Sequence, residues 1–211
     1  MFDLSLYLVT DRSLSQGIDI EWIVEQAIQG GVTMVQLREK QCGTREFIML
    51  AIRLKKKLSP YHIPLIINDR LDVALAADAD GLHIGQSDMP YDMARRLFGK
   101  YKIIGLSVEN MEQALQANML DVDYIGISPV FGTPTKTDTS TPFGLEGIRK
   151  VMSFTKHPTV AIGGINLLNT AEIMQAGANG IAVVSAICAA NDPKRAAMEL
   201  RERQLITKQG N

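Results

Sequence analysis

Residues 64–86 read PLIINDRLDVALAADADGLHIGQ, two short apolar runs separated by a single amphipathic segment. The runs at 64–70 and 80–86 have the length and composition of buried strands. The segment LDVALAADA between them has room for a helix of two turns at most. Apolar strands flanked by helices favour a parallel sheet that is buried on both faces.

The same strand and helix pattern recurs along the whole chain. Six further apolar runs lie at 6–11, 33–40, 102–108, 123–130, 159–164 and 180–185, and most are separated by segments with helical periodicity. Eight such units in 211 residues predict a compact α/β fold, the (β/α)₈ TIM barrel, formed by residues 1–211 as a single domain. An open doubly wound sheet is the alternative.

Composition excludes several classes of partner. Hydrophobic residues make up 46% of the chain, charged residues 21%, and the net charge is -1, which is typical of a soluble globular protein without a bias toward nucleic acid or acidic membranes. The N-terminal stretch MFDLSLYLVTD resembles neither a signal peptide nor a membrane span. Cys42 and Cys188 are far apart, which fits a reducing compartment, so we expect a cytoplasmic protein.

Polar residues cluster at the ends of the predicted strands. The active site of a TIM barrel lies at the carboxyl ends of its strands, because the βα loops meet there. The residues at or just beyond these ends are Gln36, Arg38, Lys40, Asn68, Asp69, Asp88, Ser107, Thr133, Thr135 and Lys136. We therefore expect them to share one site.

The stretch QLREK at 36–40 concentrates positive charge at one strand end. Side chains alternate along an extended chain, so Gln36, Arg38 and Lys40 point to one side and Leu37 and Glu39 to the other. Taken alone, such a pair of cations is typical of a solvated surface. Its position at the end of an apolar strand favours an anion site instead.

Asp69 and Asp88 follow neighbouring strands and supply two carboxylates. Mg²⁺ commonly binds one or two protein carboxylates and completes its shell with water and substrate phosphate. Each aspartate also lies within two residues of a plausible helix start, where it could act as an N-cap. The sequence leaves both roles open.

Strands 7 and 8 end in Gly163-Gly164 and in Val184-Ser185. The loops after these strands are the usual phosphate site of this fold, since glycine lets backbone N–H groups approach the anion. A tight turn is the alternative explanation for the two glycines. His83 lies within its strand, and we expect it to be a core histidine with satisfied hydrogen bonds.

The motifs QLREK, IND, GQSD, GLSV, TPTK, AIGGI and AVVS occur in this order along the chain, which resembles the thiamine-phosphate synthase family. The resemblance covers nearly every βα unit. It implies a cytoplasmic enzyme that couples 4-amino-2-methyl-5-hydroxymethylpyrimidine diphosphate to a thiazole phosphate, 4-methyl-5-(2-phosphoethyl)thiazole or its carboxylated form. The products are thiamine phosphate and pyrophosphate, and one Mg²⁺ per subunit takes part.

The resemblance also implies a role for each site residue. The pyrimidine diphosphate is expected at Gln36, Leu37, Arg38, Glu39, Lys40, Asn68, Ser107 and Lys136, of which Arg38, Lys40, Ser107 and Lys136 are catalytic. The thiazole phosphate is expected at Thr133, Pro134, Thr135, Gly164, Val184 and Ser185. Asp69 and Asp88 are expected to bind the metal. Small phosphorylated substrates are thus the expected partners, and a homo-oligomer is also compatible with the sequence.

Two related functions are alternatives on the same barrel. One is a thiazole tautomerase, which binds the thiazole phosphate without performing the coupling. The other is a sensor of thiazole phosphate that catalyses nothing. The complete set of Arg38, Lys136, Asp69 and Asp88 favours the synthase over both.

Overall fold

The computed structural model is a closed barrel of parallel strands surrounded by helices. It describes residues 2–132 and 141–209, the last four of these only for their backbone. The strands in these ranges are β1 (Leu6–Val9), β2 (Met34–Leu37), β3 (Leu65–Asn68), β4 (Gly81–Ile84), β5 (Ile103–Val108), β6 (Tyr124–Ile127), β7 (Thr159–Ile162) and β8 (Gly180–Val183).

Helices follow the strands in alternation. They are α1 (Ile20–Gln29), α2 (Thr44–Leu58), α3 (Leu71–Ala76), α4 (Tyr91–Phe98), α5 (Met111–Ala117), α6 (Gly144–Met152), α7 (Thr170–Gln175), α8 (Ser185–Cys188) and α9 (Pro193–Gln209). The six residues of α3 agree with the short helix predicted between 70 and 80. The one-turn helix α8 was not predicted as a separate element, because only Val184 separates it from β8. No helix in the described ranges is long and apolar enough to cross a membrane.

The pairing of β1 closes the barrel. Tyr7 of β1 lies opposite Met34 of β2 on one side and opposite Ala182 of β8 on the other, and both pairings are parallel. An open doubly wound sheet would leave two edge strands unpaired, so the (β/α)₈ prediction is confirmed and the alternative is wrong.

Burial explains why the strands read as continuous apolar runs. Every residue of β1 is buried, and side chains alternate between the two faces. Tyr7 and Val9 belong to the cluster inside the barrel, whereas Leu6 and Leu8 pack in the layer between strands and helices. Both faces of each strand are therefore expected to be apolar, except where an inward-facing side chain lines the cavity.

Candidate active site

A cavity of about 400 Å³ lies at the carboxyl ends of the strands. Its lining brings together the predicted residues of six strand ends, namely Gln36, Arg38, Lys40, Asn68, Asp69, Asp88, Ser107, Gly163, Gly164, Val184 and Ser185. Thr133, Pro134, Thr135 and Lys136 lie outside the described residues. Most of the site expected from the sequence thus converges on one concave surface.

The alternation predicted for QLREK is confirmed. Gln36, Arg38 and Lys40 line the cavity. Leu37 is fully buried in the layer under the helices, and Glu39 forms an ion pair with Arg12 at 3.1 Å. The expected set had included Leu37 and Glu39, but their side chains do not reach the cavity because they occupy the opposite face of the strand.

Both cations that follow β2 are held by carboxylates. Arg38 Nη1 lies 2.5 Å from Asp11 Oδ2, and the Arg38 backbone N–H donates to Thr10 Oγ1 at 3.1 Å. Lys40 Nζ lies 2.6 Å from Asp69 Oδ2. Charge-assisted hydrogen bonds of this kind fix direction as well as charge. The end of β1 therefore orients a cation that follows the neighbouring strand, a contact that the sequence pattern does not reveal.

Neither aspartate acts as a helix cap. The helix α3 begins after Arg70 and α4 after Pro90, and neither start has a hydrogen bond from a capping side chain. Asp88 Oδ2 instead accepts from the Gly85 backbone N–H at 2.7 Å, and Asp69 Oδ1 accepts from Asn68 Nδ2 at 2.7 Å. The capping alternative is therefore wrong.

Asp69 and Asp88 lie beside each other. Burial raises the pKa of the Asp88 carboxyl, and a hydrogen bond and charge interaction with Asp69 raise it further, while the Gly85 N–H and Lys40 act in the opposite direction. Two adjacent carboxylates favour a bound cation, since its positive charge offsets the repulsion between them. No group of three or more acidic, histidine or cysteine side chains suited to a metal occurs in the described ranges.

The glycines after β7 form a turn that other residues could not adopt easily. Gly163 and Gly164 have positive φ angles of 103° and 65°. A Cβ atom would lie 2.8 Å from Pro129 Cβ at Gly163 and 2.8 Å from Phe131 Cβ at Gly164. The tight turn expected as an alternative is therefore present, and it lies against the cavity, so the two explanations are compatible.

The strand pattern does not single out Tyr7 and Tyr124 as polar residues of the barrel interior, and it predicts His83 there only as a core histidine. Tyr7 and His83 line the cavity, and Tyr124 lies between them. His83 has satisfied hydrogen bonds, as expected, yet it faces the cavity and contacts Ser107 Oγ through Nε2 at 2.8 Å. Inward-facing polar side chains on β1, β4 and β6 were the available signal, but periodicity alone does not show which face is inward.

The family model for thiamine monophosphate synthase matches residues 6–187. The chain belongs to this family. A thiamine-phosphate synthase of Albidiferax ferrireducens is 56% identical over 199 residues, covering 94% of this chain and 91% of the relative. One from Syntrophomonas wolfei is 52% identical over 200 residues, covering 95% and 96%. These relatives confirm the synthase over the tautomerase and the sensor: the chain has thiamine-phosphate synthase activity in thiamine biosynthesis.

Solved structures agree with the family assignment. A thiamine phosphate pyrophosphorylase from Pyrococcus furiosus superimposes with a TM-score of 0.89 at 40% identity, covering 97% of this chain and 96% of that one. A 3-hexulose-6-phosphate synthase reaches a TM-score of 0.68 at only 17% identity. The second likeness shows the shared barrel alone, so the synthase family is distinguished by its sequence rather than by its architecture.

Proposed function

We propose that the cavity joins 4-amino-2-methyl-5-hydroxymethylpyrimidine diphosphate to a thiazole phosphate and releases thiamine phosphate and pyrophosphate. The observation that carries this proposal is the meeting of Arg38, Lys40 and the carboxylates of Asp69 and Asp88 in one cavity. Two cationic side chains beside a pair of carboxylates suit the binding of a diphosphate together with a divalent metal ion. Family membership supplies the reaction.

Mg²⁺ fits the carboxylate pair. Asp69 and Asp88 would hold it, since the two carboxylates lie beside each other in the lining of the cavity. Mg²⁺ usually binds one or two protein carboxylates, and water and substrate phosphate fill its remaining coordination positions. When bound, the metal would neutralise charge on the diphosphate. Lys40 bonds Asp69 and would also lie beside the diphosphate.

The diphosphate is the leaving group, and the chain's own cations are placed to stabilise it. Arg38 and Lys40 would contact its oxygens, with Lys136 as a third cation that lies outside the described residues. As the carbon–oxygen bond breaks, negative charge grows on the diphosphate while the aminopyrimidine delocalises positive charge. Donors that are already oriented stabilise this separation without reorganising, which is the main source of acceleration proposed for the site.

The pyrimidine would lie deeper in the cavity than its diphosphate. Gln36, Asn68 and Ser107 are proposed to bind it; Gln36 is only 4% exposed and lies on the cavity floor. The thiazole nitrogen then attacks the methylene carbon, so the reaction needs no protein nucleophile. Holding the two rings in contact would convert a bimolecular step into an intramolecular one.

The phosphate of the thiazole would bind at the opposite side of the cavity. Gly164, Val184 and Ser185 line it there, and the left-handed turn at Gly163-Gly164 brings backbone close to the space a phosphate would occupy. Thr133, Pro134 and Thr135 are proposed to complete this subsite. The two phosphorylated ends of the substrates would thus lie on different strand ends, with the reacting atoms between them.

We also propose how the chain is organised and where it is located. Residues 1–211 would form a single domain, because α9 packs against α1, α7 and β1 and thereby joins the end of the chain to its beginning. The free thiols of Cys42 and Cys188 are consistent with a cytoplasmic location. Self-association into a homo-oligomer is compatible with the exposed apolar side chains on several helices.

A coupling assay tests the proposed function. Purified protein supplied with both substrates and Mg²⁺ should form thiamine phosphate and pyrophosphate in equal amounts. Arg53→Ala, which removes an exposed arginine on the outer helix α2, should couple at the same rate. A folded protein that binds the thiazole phosphate but forms neither product would overturn the proposal.

A further inference from the structure

The loops that follow β1 and β2 meet through two ion pairs of opposite direction. In the first pair, Asp11 Oδ2 lies 2.5 Å from Arg38 Nη1. The next residue of each loop forms the second pair: Arg12 Nε donates to both carboxylate oxygens of Glu39, at 3.2 and 3.1 Å, and Arg12 Nη2 lies 3.1 Å from Glu39 Oε1. These four side chains are called the crossed clamp below.

The order of charges in the crossed clamp favours one alignment of the two loops. Along the chain the first loop carries a negative and then a positive charge, and the second loop carries the reverse. A shift by one residue in one direction would place Asp11 beside Glu39. A shift in the other direction would place Arg12 beside Arg38. In both cases like charges would meet, so the alignment that the structure shows is the one that the charges stabilise.

Glu39 is buried, although the cations on either side of it are open to solvent. The Glu39 side chain is 3% exposed, against 26% for Arg38 and 53% for Lys40. A buried carboxylate loses its hydration, a cost that an apolar side chain in the same place would not have. The contact with Arg12 offsets that cost and gives the pair a defined direction. The charge of Glu39 is therefore better explained by orientation than by stability.

We propose that Arg12 and Glu39 are positioning residues for the two cations of the cavity. The regular part of β2 ends at Leu37, so residues 38–40 lie beyond the strand and need other contacts to hold them. The Arg12 contact holds Glu39 on the side away from the cavity. Because side chains alternate along an extended chain, its two neighbours, Arg38 and Lys40, are then directed into the cavity. This inference rests on the proposed function, since these cations would bind the diphosphate.

Arg12 has a second carboxylate partner, which provides a matched control. Arg12 Nη2 lies 3.2 Å from Glu46 Oε1 in the first turn of α2. The Glu46 side chain is 59% exposed, and an ion pair so open to water contributes little. Glu46→Gln therefore removes the same charge from the same arginine but leaves Glu39 held.

Steady-state kinetics of Glu39→Gln supplies the first test. We expect kcat/KM for the pyrimidine diphosphate to fall about tenfold, the effect of losing a hydrogen bond between charged groups. The KM for the thiazole phosphate should stay unchanged, because the crossed clamp lies beside the diphosphate cations. Glu46→Gln should keep the wild-type value of both constants. An unchanged kcat/KM in Glu39→Gln, or an equal fall in Glu46→Gln, overturns the proposal.

A double variant tests whether the two residues act through their contact. Arg12→Gln leaves the Glu39 carboxylate buried without its guanidinium, so kcat/KM should fall further than in Glu39→Gln. A variant with both substitutions has neither charge, so its kcat/KM should return to the value of Glu39→Gln alone. If the effects of the two single substitutions multiply in the double variant, the residues act independently and the proposal is overturned.

Asp123→Asn separates lost stability from lost orientation. Asp123 Oδ2 accepts from Arg95 Nη2 at 2.6 Å and from the Ile104 backbone N–H at 2.8 Å, and Asp123 does not line the cavity. This variant should lower the melting temperature and, while folded, keep the wild-type kcat/KM. An equal fall of kcat/KM in Asp123→Asn and in Glu39→Gln would make the crossed clamp merely structural and overturn the proposal.

Binding of pyrophosphate in the presence of Mg²⁺ distinguishes this inference from the proposed function, because no coupling is needed. Calorimetric titration should give a Kd for pyrophosphate that is about tenfold higher in Glu39→Gln than in the wild type, and unchanged in Glu46→Gln. If the wild type couples nothing, the proposed function fails and these titrations still decide the inference. Equal Kd values in the wild type and Glu39→Gln, or a wild type that binds no pyrophosphate, overturn it.

Discussion

Arg38 Nη1 lies 2.5 Å from Asp11 Oδ2, so a carboxylate that follows β1 orients a guanidinium that follows β2. The Arg38 side chain is 26% exposed, which leaves it open to the cavity on its remaining side. A planar cation fixed on one side presents its other donors in a defined direction. Asp11 is therefore part of the arrangement that the diphosphate would meet.

Asp11→Asn should weaken that orientation. The amide no longer carries charge, and we expect kcat/KM for the pyrimidine diphosphate to fall about tenfold, the effect of losing one charge-assisted hydrogen bond. Steady-state kinetics, with the concentration of each substrate varied in turn, measures this kcat/KM. Glu21→Gln is the control, because it removes a carboxylate from the Arg53 pair on the outer helices. Equal effects of the two variants would show that the pair only stabilises the fold.

Arg38→Ala should reduce coupling more severely. Removal of an oriented donor to developing negative charge commonly costs about 10²–10³-fold in rate. Arg38→Lys should recover little of this, because lysine cannot bond Asp11 and the diphosphate with the same planar geometry. Single-turnover measurements separate the chemical step from binding. A kcat unchanged by Arg38→Ala, with only KM altered, would assign Arg38 to binding alone.

Asp69→Asn should change the metal requirement. We expect the Mg²⁺ concentration for half-maximal activity to rise about tenfold or more, while the free energy of unfolding changes by less than about 1 kcal/mol because the carboxylate caps no helix. Activity titrations with Mg²⁺ and thermal denaturation measure the two quantities. Asp72→Asn is the control, since this exposed carboxylate pairs with Arg70. Lost stability with an unchanged Mg²⁺ requirement would contradict the metal role.

Gly105→Ala should destabilise the barrel interior. The added Cβ would lie 2.1 Å from Tyr124 Cζ, and the ring is fully buried. Overpacking of this kind costs about 1–3 kcal/mol, which lowers the melting temperature by several degrees. Gly43→Ala is the matched control, because a Cβ there meets no described atom within 4 Å. Similar losses in both variants would show that Tyr124 is not tightly enclosed.

Much of the fold could be predicted because each βα unit carries its own signal. The segment 64–86 alone specifies two strands and a short helix, and repetition of that pattern specifies the barrel. The shared face of Gln36, Arg38 and Lys40 was also predictable, because side chains alternate between the two sides of an extended chain. In these two segments the local sequence pattern and the tertiary structure favour the same secondary structure and the same side-chain orientation.

The rest of the site depends on contacts between strands. His83 lies in GLHI, where both faces of the strand are apolar, so periodicity does not show which way the ring points. The pairing of Asp11 with Arg38 requires β1 and β2 to lie in one register, which the closed barrel sets. Tyr7 and Tyr124 are 117 residues apart and meet only because the strands surround a common axis.

A crystal structure with Mg²⁺ and pyrophosphate bound tests the central claim most directly. We expect the ion to contact the carboxylates of both Asp69 and Asp88, and the pyrophosphate to bridge it to Arg38 and Lys40. In that structure Asp11 should still hold Arg38, because its bond leaves the cavity side of the guanidinium free. A metal bound away from the two aspartates, or pyrophosphate bound without Arg38 and Lys40, would contradict the account.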